Sequence, residues 1–462
     1  MNRSNGKVRR VMMILAPVLF FIFSIMYANV MMVPLHLPGY ESWPDYHDQN
    51  QKDETLLVTF QDDTVFRSNY YEAAKTPRYF IAFSTSCSTF QNWQSTLFFY
   101  HAMKMKQPGN VTRLVSDCTE EQKLELAEEF NTIIRPMSES FSLYITPDYD
   151  GHDGYKKYWN KPFGFFDWMK NVLAYPENKA EYSNAIIILT DPDMLLLNSI
   201  THKFESSPED WFIPVRTNQV LHGLPVASYY GFRDSWLTSL NGNLSKIVGH
   251  DSPALNLTSD EVLNYYPAGP PYIAFGKDMY ELAKHWVKFL PKYWEFHNGW
   301  YSEMFAYCVA AAHLNLPHQL AKGIMVSVAS PFAGESLQML NNVTRRDACM
   351  AGVTSFPLAL HYCQEYGIGR WFFSKYKMRN ENLFDCNTPL LKEPPSNVGE
   401  LYDWKADRDG QFQNYTGKND EIILNTWFLC KMIYGLNEAA SYVKERHCRG
   451  TGNFNKTMMF PQ

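Results

Sequence analysis

From residue 79 onward the chain alternates between two hydrophobic periods. Tyr79–Ser84 (YFIAFS) is a nearly unbroken apolar run and predicts a strand. Phe90, Trp93, Leu97 and Tyr100 then recur at i, i+3, i+7 and i+10, the spacing of an amphipathic helix. Val111–Val115 predicts a second strand, and Thr119 followed by Gln122 predicts a capping box opening the acidic helix TEEQKLELAEEF. Thr132–Ile134 reads as a third strand and Phe163–Val172 as a helix leading to AIIIL at 185–189. Trp211–Val215 and Tyr272–Phe275 are further strands, while Met279, Leu282, Trp286 and Phe289 again keep helical spacing. Strands interleaved with helices predict an α/β fold: a Rossmann-like, mostly parallel sheet with right-handed crossovers and helices on both faces. Ile422–Tyr442 reads as a mostly apolar helix, too interrupted by Asn, Lys and Glu to span a membrane and expected to pack on the main domain.

The segment AIIILTDPDMLLL at 185–197 organises the rest. Its apolar run suits a strand buried on both faces, in the middle of a sheet. Pro192 has no N–H for the ladder and drives Asp191 toward extended geometry, so the strand ends there. Residues two apart project to one side, which sends Asp191 and Asp193 off the sheet edge together. Open α/β sheets bind ligands at the carboxyl ends of their strands. Two hard oxygen donors there suit a divalent ion carrying a diphosphate; the competing reading is a surface turn.

The N-terminus changes the picture of where such chemistry would occur. Residues 1–10 carry Arg3, Lys7, Arg9 and Arg10 and no acid, and residues 11–33 carry no charge at all. A helix of that length reaches about 35 Å, enough for a bilayer core of about 30 Å. The basic flank predicts a cytoplasmic tail (1–10), a single signal-anchor (11–33) and a lumenal remainder. Six Asn-x-Ser/Thr sequons, at Asn110, Asn243, Asn256, Asn342, Asn414 and Asn455, lie beyond it, as do all eight cysteines. An oxidising lumen favours disulfides, and the sequence leaves their pairing open. Residues 34–78, rich in proline and acid, read as a stem. With net charge −6 and no basic stripe, nucleic acid is disfavoured as a partner. No Gly-rich dinucleotide fingerprint follows a strand, which disfavours a nicotinamide cofactor.

Three downstream constellations carry candidate chemistry. HNGWYSEMFAYCVAAAH at 297–313 predicts a helix on which Trp300, Glu303 and Tyr307 share a face. Glu303 would then face a sugar between two rings, or simply lie on the surface. His361 ends the apolar FPLAL run, either as a core residue or as a third metal ligand beside carboxylates, a donor set suited to manganese or magnesium. Arg370 and Lys375 are within reach of a diphosphate or are solvated surface charges.

These pieces together resemble the hydroxyproline O-arabinosyltransferases and the peptidyl serine galactosyltransferases of plants and algae. The resemblance runs through TFQNWQS (89–95), Asn160-Lys161-Pro162 with Trp168, Asp191-Pro192-Asp193, and PAGPPYIAF (267–275). It continues through Gly299-Trp300, Glu303-Met304 and Ala306-Tyr307, then His361-Tyr362, FDCNTPLLKEPP (384–395) and LNEAASYVKERHC (436–448). It implies a GT-A-like catalytic domain over 79–395, followed by a packed helical extension over 396–462. It also implies an enzyme anchored in the Golgi or endoplasmic reticulum as a single-pass type II protein. The implied donor is a UDP-sugar, UDP-L-arabinofuranose first and UDP-galactose second. The implied acceptor is hydroxyproline or serine in a secreted or cell-wall polypeptide, with retention of configuration. In this pattern Asp191, Asp193 and His361 hold Mn2+ or Mg2+, and Asn160, Lys161, Asp191, Arg370 and Lys375 bind the donor. Glu303 stands on the reacting face. Met194 departs from the histidine that commonly follows the acidic motif in arabinosyltransferases, which bears on the choice of sugar. A non-catalytic sugar-binding membrane glycoprotein is the alternative from another class.

Overall fold

The computed structural model describes residues 77–149, 158–204, 207, 211–213, 217–330, 337–379, 381–415 and 419–460. The expected tail, anchor and nearly all of the stem lie outside the described residues. Among those described, no helix is long and apolar enough to cross a membrane.

The first half is built from β1 (Tyr79–Ser86), α1 (Thr89–Lys104), β2 (Asn110–Ser116), α2 (Glu120–Glu129), β3 (Phe141–Ile145), α3 (Asn160–Asn171) and β4 (Ile186–Thr190). The predicted capping box is present at α2: Gln122 N donates to Thr119 Oγ1 at 3.2 Å, and Thr119 N donates to Gln122 Oε1 at 3.0 Å. One expected strand is absent. Thr132–Ile134 lies in a helical turn, Phe130–Ile134, that continues α2, and the third strand is Phe141–Ile145. Phe130 and Ile134 are both buried, at the i, i+4 spacing of one helix face, a signal that outweighs three apolar residues in a row.

The four strands pair in parallel in the order β3-β2-β1-β4. The chain runs outward from β1 through β2 to β3, then returns to the other side of β1 to lay down β4. That reversal makes the carboxyl edge of β1 and β4 a topological switch point, where such sheets open a ligand crevice. Ile186–Thr190 is buried throughout. Ile186 and Ile188 pack into one core, with Phe83, Phe99 and Leu360, while Ile187 and Leu189 pack into the other, with Trp168, Trp286 and Tyr307. Each such isoleucine contributes about 1.5–3 kcal/mol by burial.

The second half comprises β5 (Met194–Leu196), β6 (Phe212–Ile213), β7 (Val226–Tyr229), β8 (Ala268–Phe275), α4 (Gly276–Phe296), α5 (Ser302–His313) and β9 (Gln319–Ala321). The sheet grows to eight strands, β3-β2-β1-β4-β8-β7-β9-β6. It remains mostly parallel, with β4–β8, β8–β7 and β9–β6 antiparallel. A fully buried run such as Ala268–Phe275 carries no signal of its direction in the sequence, and the antiparallel set of β8 comes from its pairing with β4. A separate three-stranded sheet joins β10 (Met325–Val326), β11 (Ala359–His361) and β5, and β12 (Glu365–Ile368) forms a hairpin with β13 (Trp371–Ser374). Helix α6 (Asn419–His447) puts Trp427, Phe428 and Leu436 into the same core as Phe83 and Leu360. Disulfides join Cys87 to Cys118, Cys349 to Cys430 and Cys386 to Cys448, while Cys308 and Cys363 are free thiols.

Candidate active site

Asp191 and Asp193 stand between the end of β4 and the start of β5. The strand after them is what brings His361 close. In the antiparallel ladder of β5 and β11, Met194 is the register partner of His361, and Tyr362 N donates to Asp193 O at 3.1 Å. Crossing the ladder at that point places His361 Nε2 3.1 Å from Asp193 Oδ2. Ligand atoms of Asp191, Asp193 and His361 all lie within 4.8 Å of one another. Two carboxylates and one imidazole at that spacing fit a hard or borderline divalent ion, with positions left for diphosphate oxygens and water.

Each carboxylate also has its own ammonium. Lys375 Nζ donates to Asp193 Oδ2 at 2.5 Å. Lys161 Nζ lies 3.0 Å from Asp191 Oδ1 and 3.0 Å from Glu303 Oε1, bridging the two acids. Burial alone would raise the Asp193 carboxyl, but the charges of His361 and Lys375 outweigh it and hold the group well below the usual carboxylate range. Burial lowers His361, and the Asp193 charge more than reverses this, so the imidazole sits well above its ordinary value. Lys161 and Lys375 are likewise penalised by burial and raised on balance by their acids. Glu303 is raised: burial dominates over the compensating charge of Lys161.

The expected geometry around Glu303 is corrected in two respects. Helix α5 starts at Ser302, so Trp300 precedes it in a turn and is 53% exposed, in edge contact with Tyr158. Tyr307 is fully buried, stacked on Tyr272 with centroids 3.9 Å apart, and its hydroxyl pairs with His318 Nε2 at 2.9 Å. Glu303 therefore does not sit between two open rings. Nor is it a surface residue, since only 6% of it is exposed. Its backbone carbonyl accepts from Trp286 Nε1 at 2.7 Å, which fixes the first turn of α5 against α4.

Other sequence candidates separate. Asn160, at the start of α3, is buried and spends its side-chain oxygen on Tyr149 N at 2.9 Å, so it shapes the loop before Lys161. Arg370 is exposed at the turn of the β12–β13 hairpin, whereas Lys375 follows the far end of β13. At about 3.3 Å per residue the two lie on the order of 15 Å apart along the strand, and only Lys375 reaches the acids. Met194 is fully buried, its sulfur accepting from Thr190 Oγ1 at 2.8 Å, so its side chain faces the core, away from the acids that flank it in sequence.

Two residues escape the sequence reading. Tyr230 follows β7, and its ring lies so close to Gly269 that a Cβ there would meet Tyr230 Cδ2 at 2.0 Å. Burial, and then the charges of Asp191, Cys363, Asp193 and Glu303, push its phenol well above the ordinary value. Cys363, half-buried, lies beside His361. The strand before Tyr230, Val226–Tyr229, was not among those expected from sequence, and no periodicity places its end near Asp191.

One strand away, a cleft of about 320 Å³ opens at the carboxyl ends of β1 and β2, lined among others by Ser86, Ser88, Asp117, Thr119 and Asp148. It shares the sheet edge with Asp191, since β1 pairs directly with β4.

No protein-family model matches the chain. The chain is 24% identical over 371 residues to the peptidyl serine alpha-galactosyltransferase of Arabidopsis thaliana, a match covering 76% of this chain and 36% of that protein. It thus spans about a third of the length of the curated relative. The similarity agrees with the resemblance carried by the motifs. Among solved structures, the bifunctional glycosyltransferase WbbM is similar at a TM-score of 0.33 and 10% identity, covering 64% of this chain and 47% of that one. The galactosyltransferase LgtC, in complex with donor and acceptor sugar analogs, gives 0.31 and 10%, covering 62% and 87%.

Proposed function

We propose that this chain is a glycosyltransferase that moves a sugar from a UDP-sugar to a hydroxyl of a polypeptide, with galactose and serine as the favoured pair. The observation that carries the reading is the gathering of Asp191, Asp193 and His361 at the switch point of the sheet, with two lysines on the same acids. The name of the Arabidopsis relative favours serine and galactose; hydroxyproline and UDP-L-arabinofuranose, the pair expected first from sequence, are the competing reading. A non-catalytic sugar binder accounts poorly for two buried carboxylates, Asp193 and Glu303, held among cations, because such burial is costly without a role.

The residues divide the task. The cleft beside Ser86 suits the nucleoside, whose hydroxyls can donate to Asp117 and Asp148. Asp191, Asp193 and His361 would hold Mn2+ or Mg2+, which when bound neutralises the leaving diphosphate as a Lewis acid. Lys375 can turn from Asp193 to a diphosphate oxygen, since an ammonium on a flexible stem adapts its partner. Lys161, 3.0 Å from Glu303 Oε1, opposes the rise that burial gives this carboxyl, and in its ionised form the carboxylate would stabilise positive charge growing on the anomeric carbon. Tyr230 is placed to orient the sugar or the acceptor hydroxyl by hydrogen bonding. An alpha-linked product from an alpha-linked UDP-sugar retains configuration. The compartment we propose is the Golgi or endoplasmic reticulum membrane, in type II orientation. It is supported by three disulfides and by five sequon asparagines exposed at the surface, Asn243 being half-buried.

The test is to incubate the full-length protein with Mn2+ and a panel of UDP-sugars, then with serine and hydroxyproline peptides. Hydrolysis of UDP-galactose and transfer to the serine peptide are expected. Turnover of no UDP-sugar, with or without peptide, would contradict the proposal.

A further inference from the structure

Asp193 Oδ2 is an oxygen with two claimants. It accepts from Lys375 Nζ at 2.5 Å and lies 3.1 Å from His361 Nε2. A cation bound to that oxygen and that nitrogen would compete with the ammonium for the same Asp193 oxygen. Asp191 is engaged too, by Lys161, which it shares with Glu303. Three carboxylates thus face two ammoniums and one imidazole, and once the imidazole is the neutral ligand that metal binding requires, the cluster carries a single negative charge. A bare divalent ion would reverse that sign and meet Lys375 at close range in a buried site, where screening is weak. A diphosphate arriving with the ion changes the balance. It cancels the added charge and gives Lys375 a new anionic partner. Lys375, which follows β13 at the start of a short helical turn, carries its ammonium on a flexible four-carbon stem suited to that exchange. Its ammonium already lies 5.3 Å from the face of Tyr376, a second favourable seat for a cation.

We infer that Lys375 is a specificity residue that holds the cation's place on Asp193, so that the divalent ion and the nucleotide diphosphate bind as a pair and each binds poorly alone. This rests on the donor-site reading above and adds to it a coupling between the two ligands. By linkage the coupling is reciprocal: UDP strengthens metal binding by the same factor as metal strengthens UDP binding.

Titration calorimetry on the full-length protein measures it directly, with Mn2+ alone, UDP alone, and Mn2+ in saturating UDP. In the unaltered protein UDP should tighten Mn2+ by about tenfold or more, within the usual span of coupling between sites. In Lys375→Met, Mn2+ alone should bind about tenfold tighter and UDP more weakly, so that the coupling falls to about threefold or less. Lys375→Arg, which keeps the charge, should retain most of the coupling, and this separates the claim from a folding defect in the methionine variant. The inference is overturned if Mn2+ alone binds Lys375→Met no more tightly than the unaltered protein while the coupling is unchanged. Absence of Mn2+ binding to the unaltered protein even in saturating UDP would instead remove the donor-site reading, and the inference with it.

Discussion

Asp191 and Asp193 are two residues apart, yet they belong to different neighbourhoods. Asp193 is 5% exposed, and its partners, His361 and Lys375, come from the later strand β11 and from the turn that follows β13. Asp191 has a side chain 19% exposed, and its partner Lys161 comes from the early helix α3 and leads on to Glu303 at the start of α5. The deeper acid is built as an anchor: its charge is fixed by two neighbours and cannot be neutralised by modest acidification. The outer acid is joined through Lys161 to Glu303, the carboxylate proposed to face the sugar. The comparison teaches that an Asp-x-Asp pair need not be two equal ligands. One is fixed by a histidine and a lysine of its own, and the other shares its lysine with a second carboxylate.

The comparison breaks most visibly at Asp193. Asp193→Asn removes the anchor charge while keeping the shape, and transfer should fall by about three orders of magnitude, as loss of several kcal/mol of charge stabilisation implies. The same change leaves Lys375 and His361 without their acid in a buried place, so the unfolding free energy should drop by about 3 kcal/mol. Initial rates with saturating Mn2+ and a urea melt read the two effects separately. Glu303→Gln should lower kcat by about a hundredfold, with the KM for UDP-sugar little changed, because the amide still meets Lys161 but offers no charge to the anomeric carbon. A defect confined to KM would move Glu303 from the reacting face to the donor site.

Much of this arrangement was legible in the residues. The apolar run before Asp191, the proline between the acids and the capping box at Thr119 each act locally, and each is where local chemistry put it. His361 was legible as the end of an apolar run, but its meeting with Asp193 depends on β5 pairing antiparallel to β11, a contact across 168 positions that no local period encodes. Arg370 and Lys375 looked equivalent because they are close in sequence; a strand between them sends one to the surface and one to the acids. Trp300 looked like a wall of the site because helical spacing was extended into a turn. Tyr230 and the Lys161 bridge were hidden for the same reason as the β8 direction: each arises from which strand or helix lies beside which.

Smaller effects sharpen the account. His101 and His318 are buried and neutral, their values lowered by burial from 6.5 to about 4 and about 3. Their folded values lie below the unfolded one, so the stability they support is complete above pH 6.5 and is lost as pH falls toward 4 and then 3. At about 1.4 kcal/mol per unit of separation, stability should fall by several kcal/mol between pH 6.5 and 4, read as a falling denaturant midpoint. His318→Gln, which still meets Tyr307 but does not titrate, should flatten that slope. Smallest of all is Met194→Leu. The side chain faces Thr190 in the core, so the ratio of rates with UDP-galactose and UDP-L-arabinofuranose should stay within about twofold and stability within about 1.5 kcal/mol. A switch in donor preference would show that this position reaches the sugar after all.

The central claim is that Asp191, Asp193 and His361 meet around one cation. Crystals grown with Mn2+ and UDP, measured at the manganese absorption edge, test it most directly. The account predicts a single anomalous peak in direct bonding distance of an Asp193 oxygen and His361 Nε2, with diphosphate oxygens completing the shell and Lys375 turned onto the diphosphate. A nucleotide bound with no metal at these residues, or a metal bound elsewhere on the sheet edge, would contradict it.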